Sequence, residues 1–139
     1  MTGAVQVGDQ LPAQEFPISR ADLVRYAGAS GDFNPIHWNE RFATGVGLPD
    51  VIAHGMFTMA TAARVITDWL GDPGAVIEYG VRFTRPVVVP DPDGAVLRVA
   101  GEVRTIREDG LVEIDLTATV DGQTVLAKAR AVVRPKPGG

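Results

Sequence analysis

Asp32 and His37 stand five residues apart in the run Ser30-Gly31-Asp32-Phe33-Asn34-Pro35-Ile36-His37. A carboxylate beside an imidazole is suited to moving protons near neutral pH. The imidazole titrates at about 6.5, and the carboxylate can orient it or share its proton load. Spacing alone does not join them, because on a continuous helix residues five apart point about 140° away from each other. Pro35 removes that objection. It bars a helix before it and pushes Asn34 toward an extended conformation, so the chain turns between the two groups and they can converge. A second constellation, Ile52-Ala53-His54-Gly55-Met56, opens the most apolar helical stretch of the chain. A helix N-terminus offers unpaired N–H groups and partial positive charge, and a glycine there lets a ligand come close to the backbone. A carbonyl aimed at the Gly55 N–H would have its developing negative charge stabilised. In enzymes where one such donor has been removed, the cost is about 3–4 kcal/mol.

Structural roles account for the same residues equally well at this point. Asp32 can cap a turn, Asn34 can cap a helix, and His37 can be a polar residue of that helix's first turn. Gly55 can simply permit the turn into a packed helix, with His54 hydrogen-bonded locally. A metal centre is poorly supplied, since one His and one Asp are too few ligands and no other His–carboxylate cluster accompanies them. The chain has no cysteine, which removes thiolate nucleophiles, thiolate zinc sites and disulfides. Neither G-x-S-x-G nor a phosphate-binding GxxxxGK[ST] loop occurs.

The elements that must position these residues can be read from periodicity. Residues 5–18 read as an edge strand interrupted by Gly8-Asp9, Pro12 and Pro17. Ser19, with Asp22 three residues on, caps a short helix that Gly28 ends. A further short helix starts at Asn34-Pro35 and has Phe42 in its last turn. Residues 56–70 lack glycine and proline, and 56–63 lack charge, so this helix is expected to be buried nearly all round. Only Arg64 and Asp68 give it a polar edge, and Gly71-Asp72-Pro73-Gly74 stops it. The period then changes to two. Strands are predicted over 77–90, 95–107 and 111–120. A fourth, over 123–134, follows an Asp121-Gly122 hairpin turn and carries Val125, Ala127, Ala129, Ala131 and Val133 inward. One buried helix followed by antiparallel strands, each with one apolar face, makes an α+β fold: a sheet wrapped around a long central helix, as in the hot-dog fold.

At 139 residues the chain fits a single domain, 1–139, with 135–139 as a loose proline- and glycine-rich tail. A net charge of −4 argues against nucleic acid as a partner. The arginines scattered through the strands can form a basic patch for a phosphopantetheine carrier or CoA, although solvated strand faces are the commoner explanation. The N-terminal residues lack a basic start and an apolar run, and residues 53–70 are too short and too polar to span a bilayer. A cytoplasmic location is the expectation.

The run from Tyr26 to His37 resembles the hydratase signature of MaoC-like, R-specific enoyl-CoA hydratases. Ile52-Ala53-His54-Gly55-Met56 resembles the second block of that family, at the matching distance. The likeness continues through Gly71-Asp72-Pro73-Gly74-Ala75-Val76 and Arg82-Phe83-Thr84, where it is closest to the catalytic β-type subunits of mycobacterial (3R)-hydroxyacyl-ACP dehydratases. The resemblance implies a single hot-dog domain that forms a homodimer or pairs with a second hot-dog subunit. It further implies an active site near that interface and no metal or redox cofactor. By position it makes Asp32 and His37 the catalytic pair and gives Gly55 the N–H that receives the thioester carbonyl. Asn34, His54 and Met56 fall to the substrate-binding surroundings. The implied reaction is reversible loss of water from a (3R)-hydroxyacyl thioester, on ACP in fatty-acid elongation. An R-specific enoyl-CoA hydratase of β-oxidation or polyester supply is the alternative, and a non-catalytic thioester-binding subunit is a third reading. Some CoA-specific members carry a serine on the central helix where this chain has Ala63.

Overall fold

The computed structural model describes residues 4–136, so the last three positions of the expected tail lie outside the described residues. Five antiparallel strands form one sheet in the order β1-β3-β4-β5-β2. They are β1 Gln10–Ile18, β2 Val76–Phe83, β3 Ala95–Ile106, β4 Val112–Val120 and β5 Gln123–Val133. Between β1 and β2 the chain forms helices α1 Arg20–Ser30, α2 Glu40–Gly45 and α3 Gly55–Leu70. The connection through α3 carries the chain from one sheet edge to the other, and the sheet curls over that helix. This is the hot-dog arrangement.

Alternation builds the core as expected. Leu97, Val99 and Val103 on β3 and Val112, Ile114 and Ala118 on β4 are buried against Ala62, Val65 and Ile66 of α3. Arg64 and Asp68 do not pair with each other. Arg64 lies over the Phe16 ring at 4.8 Å, and Asp68 accepts from Gln14 Nε2 at 2.9 Å, so the polar edge of α3 is tied to β1. The Asp121-Gly122 turn has positive φ at both residues, 51° and 76°, as a type I′ hairpin requires.

Five expectations need correcting. Gly28 does not end α1; the helix runs to Ser30, and Gly31 takes the left-handed cap at φ 78° with its N–H on the Ala27 carbonyl. The helix expected from Asn34 to Phe42 is two pieces, a 3-10 turn Pro35–His37 and then α2. Trp38 leaves helical geometry between them, and Asn39 re-caps through its side chain on Phe42 N–H. The strand expected over 77–90 stops at Phe83. Pro86 has no N–H to continue a ladder, and 87–89 instead pair with 51–53, through Ala53 N–H to Val87 O and Val89 N–H to Val51 O. On β5 the alternation is broken by a bulge, where Lys128 sits at φ 47° and Ala127 is turned only partly inward, while Leu126 is buried. Finally, α3 is not buried nearly all round. Thr58, Thr61, Ala62, Val65 and Ile66 face the sheet, but Met56 is 60% exposed and Ala60 lies open beside it. The sheet of one chain covers one face only.

Candidate active site

Local hydrogen bonds shape the loop after α1. The Asp32 N–H donates to Ser30 Oγ at 3.1 Å, and Asp32 Oδ1 accepts from the Asn34 N–H at 3.1 Å. Asn34 Oδ1 in turn caps the Ile36 N–H at 3.2 Å, and Trp38 Nε1 donates to the Phe33 carbonyl at 2.9 Å. With Oδ1 engaged, Asp32 Oδ2 lies 3.9 Å from His37 Nε2. The proline-bent loop therefore brings the carboxylate and the imidazole together. At 3.9 Å they are not directly hydrogen-bonded. One oxygen atom between them, at ordinary hydrogen-bond distance of about 2.8 Å from each, would bridge the gap.

The His37 ring is buried, and its Nδ1 donates to the Ile52 carbonyl at 2.6 Å. A carbonyl only accepts, so in the neutral ring Nδ1 carries the proton and Nε2 presents a lone pair toward Asp32. Burial pushes the His37 pKa below its ordinary value, opposed by the Ile52 hydrogen bond. Neighbouring His54 pushes it down further, and Asp32 pulls it back up. The imidazole is thus held as a base.

A cavity of about 310 Å³ opens beside His37. It is lined by Ile52, Ala53, Gly55 and Thr58 and by the apolar Phe83, Pro86, Val87, Val125 and Leu126, with Arg85 as its cation. Gly55 is the first residue of α3, where helix geometry leaves its N–H without an intrahelical acceptor. The cap residue His54 makes no side-chain bond to the helix end, so nothing from that side chain occupies those amides. The Phe83 ring lies over Gly55, close enough that an added Cβ would meet it at 3.1 Å.

The other residues singled out from the sequence lie elsewhere. Asn34 is exposed and serves as the cap of the 3-10 turn, and the exposed Met56 does not line the cavity. The His54 side chain, 2% exposed for the residue as a whole, does not line it either. Its ring stacks on His37 at 3.7 Å between centroids, behind the reacting face. Thr58 was legible in principle, since it sits one turn after Gly55 on the same helix. Val125 and Leu126 reach the cavity through β5 and Arg85 through the bend after β2, without a local signal, and Phe83 was marked only within the Arg82-Phe83-Thr84 likeness.

Asp32, His37 and His54 offer ligand atoms within 4.8 Å of one another. The two rings are nearly parallel, 21° apart, so their in-plane lone pairs run side by side and do not converge on one point. His37 Nδ1 and His54 Nε2 are moreover both engaged by carbonyls. Proton transfer suits this donor set better than metal coordination.

The MaoC like domain model matches residues 4–122, and the chain belongs to that family. It is 40% identical over 113 residues to the 3-hydroxyacyl-thioester dehydratase X of Mycobacterium tuberculosis, covering 80% of this chain but only 39% of that protein. It is 33% identical over 122 residues to the (R)-specific enoyl-CoA hydratase of Rhodospirillum rubrum, covering 87% and 83% of the two chains. Among solved structures, a MaoC-like dehydratase superposes with a TM-score of 0.92 at 43% identity, over 95% of this chain and 41% of that one. The chain thus spans about two fifths of the first relative's length and most of the second's. Among the described residues no helix is long and apolar enough to cross a membrane.

Proposed function

We propose that this chain is a hydro-lyase that reversibly adds water across the 2,3 double bond of a trans-2-enoyl thioester to give the (3R)-hydroxyacyl thioester. The observation that carries the reading is the 3.9 Å gap between His37 Nε2 and Asp32 Oδ2, beside a cavity whose wall includes the N-terminal glycine of α3. In the hydration direction one water sits in that gap, donating to Nε2 and Oδ2. Its oxygen bonds to the β-carbon, and one of its protons passes to the pair. The π electrons move onto the thioester carbonyl, whose enolate-like oxygen is received by the Gly55 N–H. The pair then delivers a proton to the α-carbon, restoring the carbonyl. Oxygen and both hydrogens of the water are accounted for, and dehydration runs the same path backwards. The apolar wall of Val87, Val125 and Leu126 takes the acyl chain.

The names of the relatives, a 3-hydroxyacyl-thioester dehydratase and an (R)-specific enoyl-CoA hydratase, support a thioester substrate. The resemblance of Gly71-Asp72-Pro73-Gly74-Ala75-Val76 and Arg82-Phe83-Thr84 to (3R)-hydroxyacyl-ACP dehydratases favours ACP as the carrier in chain elongation, with CoA as the alternative. The partner is a second hot-dog chain, its own copy or a different one, joined along β2. Among the described residues that strand pairs only with β5, and it exposes Ile77 and Phe83, as α3 exposes Met56.

Hydration of crotonyl-CoA and of crotonyl-ACP, followed by loss of the enoyl absorbance, tests the reaction and ranks the carriers. Asp32→Asn and His37→Gln should each lower kcat/KM by about 10²–10⁴-fold, the usual contribution of positioned acid–base groups. Folded variants with undiminished rate would end the acid–base reading of this pair, and a wild-type chain that binds the thioester without hydrating it would be a thioester-binding subunit.

A further inference from the structure

His54 lies outside the cavity, yet four features of its surroundings bear on the reacting pair. Its ring stacks on His37 at 3.7 Å and 21°. Its Nε2 is 3.0 Å from the backbone carbonyl of Asp32. Its Nδ1 is buried with no hydrogen-bond partner among the described residues. The Tyr26 ring of α1 meets it edge-on at 4.7 Å and fixes its far face. A carbonyl accepts and cannot donate, so Nε2 carries the proton. The bare Nδ1 lone pair is then the orphaned atom, which costs less than burying an unpaired N–H at that position.

We propose that His54 is a positioning residue: its Nε2–H holds the Asp32 backbone while its ring face supports His37, and together these set the gap that one water bridges. The inference rests on the acid–base reading of Asp32 and His37 and extends it. Loops bearing two catalytic groups drift unless something ties them to a rigid element, and a misplacement of 1 Å is enough to cost about 10²-fold. Here the tie is the first residue before α3, so one side chain anchors both groups to the end of the central helix. The same position explains why a histidine stands where helices prefer Ser, Thr, Asp or Asn. A short polar cap would bond the N–H groups of α3 that face the cavity end and would leave the Asp32 loop untied.

The groups facing His37 are Asp32 from the loop after α1 and His54 from the head of α3, with Arg85 lining the same cavity and Tyr26 of α1 against His54. Replacing His54 by phenylalanine keeps a ring under His37 and removes the hydrogen bond. It also removes the neighbour that opposes protonation of His37, and a phenyl face attracts an imidazolium.

The test compares His54→Phe and His54→Gln in crotonyl-thioester hydration, with kcat, KM and the pH profile measured for each. Phenylalanine should lower kcat about 10- to 100-fold, the loss seen when hydrogen-bond partners behind functional ligands are removed. KM should change little, and the acid limb should move to higher pH. Glutamine, whose amide can reach the Asp32 carbonyl, should recover much of that rate. Nitrogen-15 shifts of the wild-type imidazoles at neutral pH should place the proton of His54 on Nε2 and that of His37 on Nδ1. A folded His54→Phe with wild-type kcat and pH profile overturns the proposal, as does a His54 ring protonated on Nδ1 alone, a readout that survives if the variants do not fold. Asp32→Asn and His37→Gln run in parallel separate the two failures. If they keep full rate the acid–base reading falls, whereas if they lose it and His54→Phe does not, only the positioning role falls.

Discussion

At the scale of single residues, the protonation chemistry of His37 sets the pH dependence. Its burial lowers its pKa, so the neutral form that presents Nε2 to a proton persists below the ordinary value of about 6.5. The sign follows directly. The unfolded chain binds this proton at higher pH than the folded one, so folding loses stability as pH falls below that value and activity falls with it. The acid limb of kcat/KM is therefore expected below about 6.5, and a limb well above it would contradict His37 acting as the neutral base. His37→Gln should abolish the limb together with most of the rate.

At the scale of elements, the ends of the helices matter more than their middles. Gly55 begins α3 under the Phe83 ring, and Gly55→Ala would place a methyl group 3.1 Å from that ring. Phe83 is 52% exposed and need yield only a few tenths of an ångström, so the fold should lose about 1 kcal/mol, the low end of overpacking costs. The space in front of the amide would nevertheless be filled, and kcat/KM on any enoyl thioester should drop at least about tenfold. A variant with normal kinetics would remove the Gly55 amide from the mechanism. Helix α1, which carries the chain to Asp32, begins with a complete capping box between Ser19 and Asp22, including Ser19 N–H to Asp22 Oδ2 at 2.8 Å. Ser19→Ala should cost about 1 kcal/mol in a denaturant midpoint measurement with little change in KM.

At the scale of the whole molecule, the edge of β2 without a partner among the described residues ends at Phe83, whose ring lies over Gly55 at the head of α3. Exposed edge strands with large apolar side chains invite pairing with another chain. Ile77, 49% exposed on β2, offers a substitution outside the cavity lining. If the chain pairs along β2 as proposed, Ile77→Glu should shift it toward monomer in sedimentation velocity, whether the wild type pairs with itself or with a second hot-dog chain added to it. If the wild type sediments as a fully active monomer on its own, the paired assembly is wrong.

What the linear chain determined was most of what local rules govern, although it placed the end of α1 at Gly28 and joined the two turns after Asn34 into one helix. Pro35 after Asn34 forced the bend that lets Asp32 approach His37, alternation marked β3 and β4, and Asp121-Gly122 marked the hairpin. The glycine-free apolar run marked α3, because period and turn chemistry act over a few residues. Tertiary structure decided what depends on distant partners. Whether 87–89 joined the sheet or paired with 51–53 depended on which backbone groups came within reach. Which face of α3 was buried depended on how far one sheet could wrap. His54 went to the back of the Asp32–His37 pair and not into the cavity, because the Asp32 carbonyl and the His37 ring, 22 and 17 residues earlier, stood there to receive it. No local pattern encodes a hydrogen bond made across that separation.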